Sequence, residues 1–88
     1  MSDWPEYESY KIVRAAKIVN QERDVSGEVV SVEVALPDGS KEWFQATVPA
    51  MTAKAQIGDW AMLYPDGFRS ISPARAFEDG YRPCDDAT

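Results

Sequence analysis

Histidine is missing altogether from this sequence, and cysteine appears once, at Cys84. Without an imidazole there is no general acid or base that titrates near neutral pH, and no Ser-His or Cys-His nucleophile pair. One cysteine excludes an internal disulfide framework and a multi-cysteine metal site. Scattered acids without histidine supply no zinc spacing and no calcium loop. Cys84 stands beside Asp85 and Asp86, whose charge disfavours the thiolate a nucleophile needs. No Gly-rich phosphate loop is present. Asp59, Asp66, Glu78 and Asp79 are the raw material left for a two-carboxylate hydrolase, and Asp66 and Asp79 already read as turn and helix-end residues. The expectation is a protein with no catalytic residue, no metal ligand and no cofactor.

Positive charge is also scarce. Nine Lys and Arg face 15 Asp and Glu, a net charge of -6, and the basic residues are scattered along the chain. Nucleic-acid binding driven by counterion release needs a clustered basic face, so no direct nucleic-acid partner is expected. An acidic surface suits solubility, or a basic partner protein. No apolar run approaches the roughly 20 residues that cross a bilayer. The opening "MSDWPEYESY" is acidic where a secretory leader is basic and then apolar. The expectation is a cytoplasmic protein that meets no membrane.

What is present suits a single small domain. The 88 residues are 44% hydrophobic and 27% charged, a globular composition. A chain this short buries only about two-thirds of its unfolded surface, so its stability is small. Residues 1–9 read as an N-terminal arm and residues 83–88 as a C-terminal tail. "YKIVRAAKIV", from Tyr10 to Val19, reads as a strand on its β-branched residues, although Ala15-Ala16 also permits a helix. "NQERDVSG" reads as a connection or hairpin loop ending at Gly27. "EVVSVEVAL" alternates strictly, with Val30, Val32, Val34 and Leu36 on the core face. "PDGS" turns the chain into "KEWFQATV", which directs Phe44, Ala46 and Val48 inward and Trp43, Gln45 and Thr47 outward.

Pro49 ends that strand, and a short helix follows it. "WAMLY" then enters a second hairpin through Pro65, Asp66 and Gly67, where proline fixes one turn position and glycine supplies a positive φ. Ser72 reads as an N-cap, Pro73 as the first helical residue and Gly80 as a left-handed C-terminal cap, with Phe77 and Tyr81 anchoring the helix between them. The fold class expected is α+β: a small twisted antiparallel β-sheet or partly open barrel of about five strands, with one or two short helices.

Two stretches carry a likeness to known sequences. Tyr7, Ser9, Lys11, Val13 and Ala15 match the opening, and Gly58, Asp59, Trp60, Tyr64, Asp66, Gly67, Ser70, Ser72, Pro73, Phe77, Glu78, Gly80 and Tyr81 match the closing segment, of a family of small proteins encoded by tailed phages and prophages. The chain resembles that family over about half its length. Tyr10 stands where many members carry histidine. The resemblance implies a phage or prophage origin, and a small accessory gene product of the kind that inhibits host defence or host regulators.

Binding, then, is the expected activity. Trp43 lies on the strand face opposite Phe44, where a lone small domain has little left to cover it, so it marks a partner surface or a homo-oligomeric interface. Trp43, Trp60, Tyr64 and Phe68, with Arg69 and Arg75, are the candidate binding residues. The same rings and guanidinium groups also suit a nucleotide-like small molecule bound at an oligomer interface, by stacking and phosphate pairing. A minor structural or assembly role is a third reading. A host protein is the favoured partner.

Overall fold

The computed structural model describes residues 4–8 and 12–83, with only the backbone described at Arg82 and Pro83. Ser9, Tyr10, Lys11, Cys84 and the rest of the tail, on which several sequence readings fall, lie outside the described residues. Strands β1 (Glu6–Glu8), β2 (Ile12–Arg23), β3 (Val29–Ala35) and β4 (Lys41–Phe44) precede a short helix, α1 (Pro49–Ala53). Then come β5 (Trp60–Leu63), β6 (Arg69–Ser72), α2 (Ala74–Gly80) and the two-residue β7 (Arg82–Pro83). All pairings are antiparallel. The sheet is open and the fold is α+β as expected, but six strands have three residues or more, where about five were expected.

The longest element organises the rest. β2 has 12 residues and pairs with β1 and β5 near its start and with β3 over its second half. Alternation along it feeds two cores on opposite faces of the sheet. Ala16 and Ile18 point to an inner, mainly aliphatic core with Val32, Val34, Leu36, Phe44 and Ala61. Val13 and Ala15 point the other way, to Met62 and Phe77. α1 closes the inner core through Met51 and buried Thr52, whose hydroxyl accepts the Ala46 N–H at 2.9 Å. α2 covers part of the outer face by burying Phe77.

Several expectations change here. The N-terminal arm forms an element: Ala15 donates its N–H to the Pro5 carbonyl, and Trp4, 2% exposed, packs on Phe44 and donates its indole N–H to Glu42 Oε1 at 2.8 Å. The expected connection "NQERDVSG" is half strand, since β2 runs on to Arg23, and the hairpin loop ending at Gly27 is confined to the residues after it. Register shifts between Ile18 and Asn20 and between Glu22 and Arg23 break the β2–β3 alternation. Val19 and Val30 are the residues passed over, and both are exposed. The second bulge reverses the expected parity, so Val29 is buried and Val30 is not. Val48 is exposed as well, because β4 ends at Phe44 before it.

Both "PDG" turns form as expected. Gly39 and Gly67 take φ of +90° and +93° and donate their N–H groups to Leu36 and Tyr64. The Asp24–Glu28 turn closes with the same pair of bonds. The C-terminal helix is held differently from the sequence reading. Ser72 belongs to β6 and makes no cap; the N-cap position is Pro73, which has no side-chain donor or acceptor to offer. Asp59, from the loop before β5, reaches across instead, accepting the Ala74 N–H on Oδ1 at 3.1 Å and the Gln56 N–H on Oδ2 at 3.0 Å. Gly80 is the last helical residue without a positive φ, and the extended Tyr81 is the C-cap.

Candidate functional site

The outer face of the sheet has a covered half and a bare half. Cross-strand register places Trp60, Lys17, Ala35 and Lys41 in one row on this face, and Trp43 follows Lys41 on the same side of β4. Over Trp60, α2 builds an aromatic stack. Phe77 lies 4.5 Å from Trp60 and 4.8 Å from Tyr81, both nearly parallel, and Tyr7 meets Phe77 edge-on at 5.0 Å. Glu78 accepts the Trp60 indole N–H at 3.1 Å and pairs with Lys17, whose ammonium lies 5.7 Å from the Trp60 ring centre. Trp60 is therefore committed to holding α2.

Trp43 has no such cover. Its side of β4 faces Glu33 of β3, it is 48% exposed, and among the described residues its indole N–H has no acceptor. Among the described residues, the strand carrying it is a sheet edge, paired only with β3. The Leu36 N–H bonds the Ser40 carbonyl across the turn, so by antiparallel alternation Glu42 and Phe44 bond inward to β3, and the backbone groups of Lys41, Trp43 and Gln45 point outward. At Gln45 the outward carbonyl is met by Arg69 Nε at 2.8 Å, and beyond it Thr47 donates its N–H to the Arg69 carbonyl at 2.9 Å. These contacts join the two long edges at one end and leave Lys41 and Trp43 open. A groove of about 300 Å³ runs between Ser31, Trp43, Gln45 and Arg69.

Of the six candidate residues, the fold brings Trp43 and Arg69 to one groove. Tyr64 and Phe68 meet edge-on at 5.7 Å across the second "PDG" turn. Trp60 belongs to the covered stack, and Arg75 is exposed on α2. They do not form a single aromatic pocket. A larger cavity, about 510 Å³, lies elsewhere, between Tyr64, Leu63, Ile12 and the Glu6–Arg14 ion pair. No group of His, Cys, Asp or Glu able to hold a metal occurs among the described residues, and none of the helices searched is long and apolar enough to cross a membrane. Two turn carboxylates, Asp24 and Asp38, sit below the ordinary value of 3.8, chiefly because Ser26 and Ser40 bond them. No family model, curated protein or solved structure matches the chain.

Sequence reasoning missed three contributors. Gln45 matters through its carbonyl and Lys41 through an edge position, neither of which side-chain chemistry reveals. Asp59 had a signal, as a turn acid before a strand, but its partner Ala74 lies 15 positions away.

Proposed function

We propose that this is a non-enzymatic, phage-encoded accessory protein that acts in the host cytoplasm by binding another protein, a host defence or regulatory protein being the fitting target. One observation carries the reading: a half-exposed tryptophan on an open sheet edge, in a chain that covers its other two tryptophans. Tryptophan is enriched at the centres of interfaces and costly to leave in water. Structural roles for the carboxylates support the non-enzymatic part. Asp59 caps α2, Asp66 accepts the Phe68 N–H in its turn, and Glu78 holds Trp60 and Lys17.

The cavity beside Tyr64 favours a second reading, a small-molecule binding module. Native mass spectrometry after gentle capture from bacterial lysate separates the two. The proposal expects a co-purifying protein at fixed stoichiometry that disappears when Trp43→Ser is the bait. A small added mass retained by Trp43→Ser supports the cavity reading instead.

A further inference from the structure

We infer that the open edge of β4 receives an extended peptide segment that adds an antiparallel strand to the sheet and places an acidic side chain on Arg69. The inference rests on the protein-binding reading and specifies its mode. Four backbone groups carry it, the outward N–H and C=O of Lys41 and of Trp43, which no other strand among the described residues meets. Unpaired ladder groups of this kind recruit a further strand, with the main chain supplying affinity and side-chain pockets supplying selectivity. The ring of Trp43 forms one wall for the incoming side chains.

Charge decides what the added strand carries. Arg69 spends Nε on the Gln45 carbonyl, which fixes the guanidinium at the end of the open edge. The ion pairs among the described residues are Arg14 with Glu6 and Lys17 with Glu78, so no carboxylate of the described chain claims the remaining Arg69 donors. A held guanidinium with free donors is matched by a carboxylate, which it pairs in a charge-assisted geometry. An antiparallel strand running past Lys41 and Trp43 has its N-terminal end at Gln45, so its acid belongs near its N-terminus. Antiparallel addition continues the pairing used throughout this sheet.

The test uses the acetylated and amidated hexapeptide Thr-Asp-Thr-Val-Thr-Val, with versions carrying asparagine or lysine in place of the aspartate, titrated into the isotope-labelled protein and followed by amide chemical shifts. Blocked termini leave the side chain as the only carboxylate. The expected result is shifts centred on the Lys41 and Trp43 amides, and binding of the aspartate peptide at least about tenfold tighter than the asparagine one, a gap of ~1.4 kcal/mol. Arg69→Gln should close that gap to within about twofold while keeping a side-chain donor near Gln45. Lys41→Pro should abolish binding by blocking an outward N–H that the β3 ladder does not use.

Equal binding of the aspartate and lysine peptides, or shifts that spare Lys41 and Trp43, overturns the inference. So does a peptide that fails to bind at millimolar concentration. If no peptide binds but Trp43→Ser still loses the captured protein, strand addition is wrong and the protein-binding reading stands. If the peptides bind as expected and capture ignores Trp43, the reverse holds.

Discussion

Trp60 and Trp43 stand on the same face of one sheet, and their surroundings differ completely. Trp60 lies under a helix that its own chain supplies, stacked 4.5 Å from Phe77 with its N–H given to Glu78. Trp43 has neither a ring against it nor an acceptor among the described residues, on a strand whose outer edge is unpaired. α2 has seven residues, marginal as an isolated helix, so the aromatic stack is what keeps it in place. Among the described residues, the aromatic side chains therefore cover one half of the outer face and leave the other half bare. Under the proposed binding function, a tryptophan left so is the contact point for a second molecule.

Substitutions separate the two tryptophans by the size of their effect on stability. Phe77→Ala should have the largest effect. The ring is 1% exposed and touches Trp60, Tyr7 and Tyr81, and its removal should cost about 3–5 kcal/mol, measured by urea denaturation. Asp59→Ala leaves the amides of Ala74 and Gln56 without their carboxylate acceptor and should cost about 1–2 kcal/mol, with helical ellipticity falling early in the melt. Gly80→Ala should act in the opposite direction. Gly80 has no positive φ and open space where a Cβ would stand, so alanine should add about 0.5–1 kcal/mol. That gain contradicts the left-handed cap read from the sequence, which predicts a loss. Trp43→Ser should be the smallest, within about 0.5 kcal/mol of the parent. A loss of core size at Trp43 would erase the contrast between the two tryptophans.

How far the sequence spoke depends on how local each signal was. The "PDG" turns at Gly39 and Gly67, the hairpins they close and the helix after Pro49 were legible because turn chemistry and proline act on adjacent residues. The outward position of Trp43 was legible from alternation with Phe44. The bulges at Val19 and Val30 were not, since a register slip is settled by pairing across β2 and β3 and leaves an unbroken alternating pattern in the chain. β1 has three residues, too few for periodicity, and is held by Pro5, Trp4 and Tyr7 contacting distant partners. Ser72-Pro73 resembled a cap locally, yet the acid that caps Ala74 came from another loop. In the candidate site, the face of Trp43 was readable, while its meeting with Arg69 needed the curl of the sheet that joins Gln45 and Thr47 to β6.

Residue-resolved amide hydrogen exchange on the free protein and on its captured complex addresses the central claim most directly. The account predicts that the Lys41 and Trp43 amides exchange rapidly in the free protein and become protected in the complex, while Glu42 and Phe44, already bonded to β3, are slow in both. Protection that appears instead around Tyr64 and Phe68, with Lys41 and Trp43 still exchanging freely, would place the partner elsewhere and contradict it.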